Sequence, residues 1–179
     1  MDRPAKRKTI RLPHYDYRST GVYHVTICSK NRAWLFGRIE DGRMFLNELG
    51  VLVEQKIEEV PEHYPEADVI ASVVMPNHVH MLVGLGTNVL HERADAMRGE
   101  TDAIHGVPTG GNHSLANIIG GYKSSVSRMY GRSVWQPRYY EHIIRNEYDL
   151  LETIEYIQNN PKAWDVDRLN QLNNIQPRP

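Results

Sequence analysis

Two histidines separated by a single residue are the feature of this sequence best suited to chemistry. They are His78 and His80, in the segment MPNHVHMLV. On a β-strand, side chains two positions apart point to the same face, so the two imidazoles would lie side by side. Two imidazoles in that arrangement can chelate a metal cation. Two ordinary histidines on an open sheet face would give the same triplet, so the motif alone leaves both interpretations open.

A tyrosine and an asparagine near the C-terminus form a second candidate pair. Tyr156 and Asn160 are four residues apart in a predicted helix, so their side chains share one face. If that face lies over the histidine strand, the Asn160 carboxamide oxygen can complete a ligand set with the two imidazoles, and Tyr156 becomes a candidate nucleophile. A phenol has a pKa near 10, so it needs activation, which a cation bound to a substrate phosphate can provide.

Other tyrosines compete for the role of nucleophile, since the chain has ten. Tyr122 lies on the apolar stripe of its predicted helix, which favours a structural role. Tyr130, Tyr139 and Tyr140 stay open as alternatives, although none has a polar neighbour comparable to Asn160. A half-buried structural tyrosine is also the simplest interpretation of Tyr156 taken alone.

The composition limits the classes of protein to which the chain can belong. Its 179 residues suit one domain with a real core, and no segment approaches the roughly 20 apolar residues of a membrane span. A single cysteine, Cys28, excludes an internal disulfide and a multi-cysteine zinc site. A cytoplasmic protein without a membrane partner is the expectation. The net charge of −1 combines +6 over 1–43, −8 over 44–106 and +1 over 107–179, which is compatible with a local phosphate-binding face.

Hydrophobic periodicity predicts the elements that must position these residues. The order strand, helix, strand, strand, helix, strand, helix matches an α+β, ferredoxin-like sandwich: an antiparallel sheet with helices, extended by a C-terminal helix that carries Tyr156. The predicted strands are 21–29, 67–75, 77–84 and 135–145, and the predicted helices are 43–60, 115–130 and 147–160. We predict a basic arm at 1–17, a domain at 18–165 with a flexible insertion at 86–113, and a tail at 166–179.

Four sequence blocks together resemble the REP-associated tyrosine transposases, within the HUH single-tyrosine transposases and the IS200-like superfamily. They are MPNHVHMLV, in which His78-Val79-His80 matches the HUH triplet, SLANIIGGYKSSVSR, VWQPRYYEHIIRNEYDL and IEYIQNNP. The resemblance spans roughly residues 20–165. It implies an enzyme that cleaves and rejoins single-stranded DNA near palindromic, REP-like hairpins through a covalent phosphotyrosine intermediate. It also implies Mg²⁺ or Mn²⁺ held by His78, His80 and Asn160, with Tyr156 as nucleophile.

Basic and aromatic residues are the candidate DNA contacts. Cations on the arm, or off the core stripe of the helix at 115–130, are suited to phosphates. Aromatic and basic residues that alternate after that helix are suited to unpaired bases. The candidates are Lys6, Arg7, Lys8, Arg11, Lys123, Arg128, Arg132, Trp135, Arg138 and Tyr139.

Two other functions share these motifs. A catalytically silent regulator on the same fold would bind hairpin DNA without forming an adduct. A replication-initiator or relaxase type nickase would also carry the histidine pair, but that class often has extra tyrosines and domains. Intact His78, His80, Tyr156 and Asn160 favour an active enzyme. A monomer and a homodimer that exchanges the tyrosine helix are both compatible with the sequence.

Overall fold

The computed structural model describes residues 21–86 and 113–171. The predicted arm, residues 87–112 of the predicted insertion and residues 172–179 of the predicted tail lie outside these ranges. The strands are β1 Gly21–Cys28, β2 Gly37–Glu40, β3 Arg43–Leu46, β4 Ala67–Met75, β5 His78–Leu85 and β6 Tyr140–Ile144. The helices are α1 Glu48–Glu58, α2 Val60–His63, α3 Leu115–Tyr130, α4 Glu147–Asn159 and α5 Arg168–Gln171.

Four strands form one antiparallel sheet in the order β4-β5-β1-β6. If the four strands of this sheet are numbered in chain order, the sheet order is 2-3-1-4, so the first strand lies between the third and the fourth. That topology is ferredoxin-like, and the predicted fold class is confirmed. It places β1 directly beside the histidine strand β5.

One face of the sheet forms the hydrophobic core with α1 and α3. Alternate residues of β1 and β5, such as Val25 and Met81, pack with Val53 of α1 and Ile118 of α3. The predicted bounds of α3 are confirmed. Its N-cap Ser114 accepts from the Asn117 N–H, and Gly131 ends it in the left-handed conformation, with φ of 78°. Helical spacing in the sequence predicts Met129 on the apolar stripe of this helix, but its side chain is 64% exposed, because the last turn of the helix extends past the core.

The region before α1 differs from its prediction. Residues 43–46 were assigned to a helix, but they form β3, which pairs with β2 around a turn at Asp41 and Gly42. Both turn residues have positive φ (50° and 69°), the arrangement that Asp-Gly favours in a tight hairpin. Phe45, predicted on the helical stripe, is therefore exposed on a strand. The helix begins after Asn47, whose side chain accepts from the Gly50 N–H.

The last strand is also shorter than predicted. Only Tyr140–Ile144 pairs with β1, whereas Trp135 forms an isolated bridge with Ser29. Pro137 lies between the two, and proline has no N–H to donate to a strand ladder. The predicted helix at 147–160 is present as α4, capped by the Asn146 side chain, which accepts from the Asp149 N–H.

The second face of the sheet is covered by α4 and the chain that follows it. α4 contacts β4 and β5. Every residue of β5 is buried as a result, so His78 and His80 do not lie on an open sheet face. The domain boundary predicted after residue 165 falls within a 3-10 turn, Trp164–Val166, and the boundaries stay a prediction. None of the helices in the described ranges has the length and apolar content needed to cross a membrane.

Both ends of the predicted insertion attach to one residue of the sheet edge. The Gly86 N–H donates to the backbone oxygen of Glu66 over 2.8 Å. The carboxylate of Glu66 accepts from the His113 N–H at 3.3 Å and lies 2.7 Å from His113 Nδ1. The His113 ring also packs edge-on against Tyr64, at 5.2 Å. Glu66 thus closes the base of the segment that leaves the sheet at Gly86 and returns at His113.

Candidate functional site

The two histidines of β5 face one another inside the protein. His78 is fully buried and His80 is 3% exposed. Their Nε2 atoms lie 3.1 Å apart, with the rings nearly perpendicular at 83°. Strand alternation places both side chains on one face of β5, as predicted, and their Nε2 atoms face each other there.

Asn77 sets the orientation of His78. The Asn77 Nδ2 group donates to the backbone oxygens of Arg32 (3.2 Å) and Leu169 (3.5 Å), which leaves Oδ1 as an acceptor only. His78 Nδ1, 2.8 Å from that oxygen, must donate to it. A neutral imidazole protonated on Nδ1 carries its lone pair on Nε2. The Nε2 lone pair of His78 is therefore directed at the site.

His80 is held by two residues of the neighbouring strand. Its Nδ1 lies 3.0 Å from Thr26 Oγ1 and 3.0 Å from His24 Nε2. In the sequence His24 shows no pairing comparable to that of His78 and His80, which predicts an incidental residue; its contact with His80 shows that this prediction is wrong. His24 and Thr26 alternate on a strand that the ferredoxin-like topology places beside β5, so topology combined with strand parity was the signal that could have identified them.

All three histidines are uncharged at neutral pH. Burial, reinforced by the nearby Arg32 guanidinium, lowers the pKa of His78 to about 3. Burial is also the main cause that lowers the pKa of His80 well below its usual value. The pKa of His24 falls to about 4 through burial and the nearby His142, against the opposing charge of Asp149. Neutral imidazoles are the form that binds cations.

Tyr156 of α4, and Asn160 at the C-cap of that helix, lie on the side of α4 that faces the histidine pocket. The Tyr156 ring is edge-on to His80 at 5.3 Å and to His24 at 5.9 Å, and its side chain is about half exposed. Burial and the Asp167 charge raise the pKa of Tyr156, although a hydrogen bond from Asn160 opposes them. The phenol is therefore not activated by its protein surroundings alone.

Asn160 is the least satisfied polar residue at this site. It is 2% exposed, and its Oδ1 has no hydrogen-bond partner among the described residues. A buried amide oxygen without a partner costs about 1–3 kcal/mol unless something binds it. Helical spacing in the sequence also predicts Thr153 and Glu152 on the face that carries Tyr156 and Asn160. Thr153 is buried beneath the helix as expected, but Glu152 is exposed and accepts from Tyr148.

A pocket of about 430 Å³ opens onto this cluster. We call it the histidine pocket. Its walls come from β1, β5, β6, α4 and the segment after α4. The lining residues are Thr26, His80, Tyr140, Tyr156, Asn160, Ala163, Val166, Asp167, Arg168 and Leu169.

The rival tyrosines occupy different environments. Tyr122 is buried, its hydroxyl donates to the Val53 oxygen at 3.4 Å, and burial raises its pKa well above the usual value. Tyr139 is partly buried against the core, and the Tyr130 ring lies under the Arg132 guanidinium. Tyr140 lines the histidine pocket and is 46% exposed, so it is the rival that an experiment must control.

The donor set fits a cation with open coordination positions. At metal–nitrogen distances of about 2.1 Å, two ligands at right angles lie about 3.0 Å apart, close to the 3.1 Å between the Nε2 atoms. The unpartnered Asn160 Oδ1 is a suitable third donor. Within residues 21–86 and 113–171, no three His, Cys, Asp or Glu side chains cluster as a metal site.

A second pocket of about 620 Å³ lies at the C-terminal end of α3. We call it the α3 pocket. Three of the predicted phosphate contacts line it, with Arg128 and Arg132 exposed. Lys123 is already engaged, because its Nζ donates to the backbone oxygens of Gln136 (2.7 Å) and Pro137 (3.1 Å), and burial lowers its pKa. The lining residues are Lys123, Ser124, Ser127, Arg128, Gly131, Arg132, Ser133, Trp135, Gln136 and Pro137.

The predicted base-stacking residues separate into core and surface. Trp135 is only 5% exposed and packs against Phe36 (5.1 Å) and Tyr122 (5.7 Å), so its ring is a core element and not a stacking platform. Arg138 is exposed, and Tyr139 is partly buried. The arm candidates Lys6, Arg7, Lys8 and Arg11 lie outside the described residues.

Comparisons with known proteins agree with the fold and the motifs. An uncharacterized protein of Haemophilus influenzae is 37% identical over 174 residues, which cover 91% of this chain and 92% of that protein. A putative REP-associated tyrosine transposase of the same organism is 27% identical over 146 residues, covering 82% of this chain and 73% of the relative. No protein-family model matches the chain.

A solved structure supplies the corresponding fold. The REP-associated tyrosine transposase bound to a REP hairpin superposes with a TM-score of 0.55, at 20% identity, over 86% of this chain and 74% of its own. The solved transposase therefore shares the ferredoxin-like fold of this chain. The chain is similar in sequence to the putative REP-associated tyrosine transposase of Haemophilus influenzae, and similar in fold to the solved one.

Proposed function

We propose that this protein cleaves and rejoins single-stranded DNA near palindromic hairpins, with Tyr156 as the nucleophile. The observation that carries the proposal is the arrangement at the histidine pocket. The Tyr156 ring lies edge-on to His80, and the Nε2 of His80 faces that of the buried His78. Asn160, whose Oδ1 has no partner among the described residues, lines the same pocket as Tyr156 and His80. A phenol beside a cation site that lacks its full set of protein ligands is suited to phosphoryl transfer.

The reaction exchanges one phosphodiester for another. The Tyr156 phenol oxygen bonds to the phosphorus as the bond to the 3′-oxygen breaks. The phenol proton leaves, and the departing oxygen takes up a proton to become a 3′-hydroxyl. The DNA 5′-phosphate stays on Tyr156 as a phosphodiester, so a 3′-hydroxyl can attack it and rejoin a strand without an external energy source.

The chain's own residues supply position and orientation. α4 holds the phenol edge-on to His80 of β5, and Asn160 acts to lower the pKa of Tyr156 against the larger effect of burial. His78, His80 and Asn160 would hold a divalent cation, Mg²⁺ or Mn²⁺, which when bound supplies Lewis-acid stabilisation of charge on the phosphate. Because imidazole nitrogens prefer transition metals, Mn²⁺ suits this donor set better than Mg²⁺.

DNA would be held mainly through phosphate contacts outside the histidine pocket. Arg128, Arg132 and Arg138 are exposed cations suited to that role. A hairpin substrate is supported by the solved relative, which was bound to a REP hairpin. An enzyme that acts on cellular DNA would work in the cytoplasm.

A site complete within one chain fits a monomeric enzyme. Tyr156 lies over His80 of its own chain, so the arrangement does not need a tyrosine helix from a second copy. A homodimer that exchanges α4 would instead pair the tyrosine of one chain with the histidines of the other. Mixing a Tyr156→Phe chain with a His80→Ala chain distinguishes the two, because only exchange restores cleavage.

Incubation with hairpin-bearing single-stranded DNA and Mn²⁺, followed by denaturing gels, tests the proposal. The wild type should form a covalent protein–DNA adduct, and Tyr156→Phe should form none while still binding DNA. Tyr140→Phe is the matched control, since it removes a hydroxyl from the same pocket and should leave the adduct. An adduct that survives Tyr156→Phe would overturn the assignment, whereas a wild type that binds hairpins without any adduct would favour the silent regulator.

A further inference from the structure

His24 lies beside the proposed cation ligands but is not one of them, so the proposed function gives it no role. It is a third imidazole on the same sheet face, and its Nε2 lies 3.0 Å from His80 Nδ1. That nitrogen of His80 is the one turned away from His78. His24 therefore approaches the candidate ligand from behind, where it cannot join the ligand set through the same contact.

The hydrogen-bond requirements of His80 give this contact a purpose. A neutral imidazole that offers Nε2 to a cation carries its proton on Nδ1, and a buried N–H needs an acceptor. Two acceptors are in reach, Thr26 Oγ1 and His24 Nε2, each at 3.0 Å. Asn77 Oδ1 serves His78 Nδ1 in the same way. Both ligand rings thus have a partner on the nitrogen opposite the site.

His24 is itself fixed on its other sides. Its ring meets Tyr156 edge-on, with an interplanar angle of 67°. Its cross-strand neighbour is His142, whose Nε2 lies 3.1 Å from both carboxylate oxygens of Asp149 in the first turn of α4. His24 lies between the strand that holds His80 and the helix that holds Tyr156.

We propose that His24 is a positioning residue, which accepts the Nδ1–H of His80 and keeps the Nε2 lone pair of His80 directed at the cation site. The inference rests on the proposed function in that it takes His80 as a ligand. His24 binds neither cation nor DNA in this role. Its effect is on the orientation and the tautomer of another side chain, as hydrogen-bond partners of metal-binding histidines commonly act.

A matched pair of variants tests this role. Glutamine and methionine have similar length and shape, but only glutamine offers an oxygen near the position of Nε2. In Mn²⁺ binding measured by calorimetry, His24→Met should weaken affinity about 10–100-fold, and His24→Gln should stay within about threefold of the wild type. His142→Gln, on the same face without contact to His80, should bind Mn²⁺ as the wild type does. Equal affinities for His24→Met and the wild type would overturn the inference.

Two further measurements separate orientation from folding and from the proposed function. Thermal unfolding should show both His24 variants folded, and Thr26→Val, which removes the second acceptor, should enhance the loss caused by His24→Met. Nitrogen-15 NMR of the Zn²⁺-loaded wild type should show the His80 proton on Nδ1, and a proton on Nε2 would contradict the role. A wild type without Mn²⁺ affinity would overturn the proposed ligand set itself, whereas affinity that His24→Met leaves intact would overturn only the role of His24.

Discussion

The histidine pocket and the α3 pocket differ in how their polar groups are used. In the histidine pocket, buried and uncharged groups converge, and one of them, Asn160 Oδ1, lacks a partner among the described residues. In the α3 pocket, the cations are exposed, except for Lys123, whose bonds to two carbonyl oxygens are already made. A buried oxygen without a partner beside neutral imidazoles is suited to binding a cation, and exposed cations are suited to attracting phosphates. We therefore expect the first pocket to control cleavage and the second to control DNA affinity.

The largest expected effect comes from removing both candidate ligands. The double variant His78→Ala and His80→Ala should lower the rate of adduct formation by about 10²–10⁴-fold, because a cation contributes several kcal/mol to stabilising the transferring phosphate. Hairpin affinity, measured by fluorescence anisotropy, should change little. An equal fall in hairpin affinity would show that the histidine pocket contributes to DNA binding as well as to cleavage, against this expectation.

Removing the exposed cations of the α3 pocket should have the opposite profile. Arg128→Ala with Arg132→Ala should reduce hairpin affinity about tenfold, and should make the slope of log affinity against log salt concentration less negative by about 2. Adduct formation at saturating DNA should equal that of the wild type. Glu152→Ala, an exposed charge on α4, serves as the control. An unchanged salt slope would remove the α3 pocket from the DNA interface.

Lys123 should behave as a structural residue despite its charge. Lys123→Met keeps the aliphatic chain and removes the donors to Gln136 and Pro137, so unfolding in urea should show a loss of about 1–2 kcal/mol. Lys30→Met changes an exposed lysine of the 3-10 turn Lys30–Arg32, and should cost less than about 0.5 kcal/mol. If Lys123→Met is fully stable but binds hairpins weakly, the residue belongs with Arg128 and Arg132 after all.

The smallest effect tests the attachment of the tyrosine helix. Asn146→Ala removes the N-cap of α4 and should lower the free energy of unfolding by about 1 kcal/mol. The equivalent change in the other pocket's helix, Ser114→Ala, should cost a similar amount. Only Asn146→Ala should also slow adduct formation, since it loosens the helix that carries Tyr156. Equal adduct rates for the two variants would mean that the cap of α4 does not affect the site.

Sequence reasoning succeeded where one local pattern dominates. The cap, stripe and terminal glycine of α3 specify its limits, and strand alternation alone places His78 and His80 on one face. The hairpin at 37–46 was missed because the apolar spacing from Phe45 onward imitates a helix, while Asp41-Gly42 carries the stronger turn signal. Trp135 was misplaced because an aromatic beside basic residues has the same composition in a core and on a surface.

The contacts across the site were beyond local patterns. His24 is 56 residues from His80, and only strand order brings the two together. The sequence predicted in part which sides of α4 face the sheet. The apolar Ile157 is buried, and so is the polar Asn160 at the end of the helix. A periodic pattern in the sequence identifies the apolar face of a helix. A polar face that points inward can be identified only when the polar residues of the sheet beneath it are known.

Glu66 fixes both ends of a chain segment, and this makes the segment replaceable. Because Gly86 and His113 are both fastened to this one residue, the chain between them leaves and returns across a fixed gap. The entropy of closing such a gap rises only slowly with the number of residues, by about 0.6 kcal/mol for each doubling. We therefore expect that this stretch can be exchanged for a shorter linker, an epitope tag or an accessory domain while β5 and α4 keep their geometry.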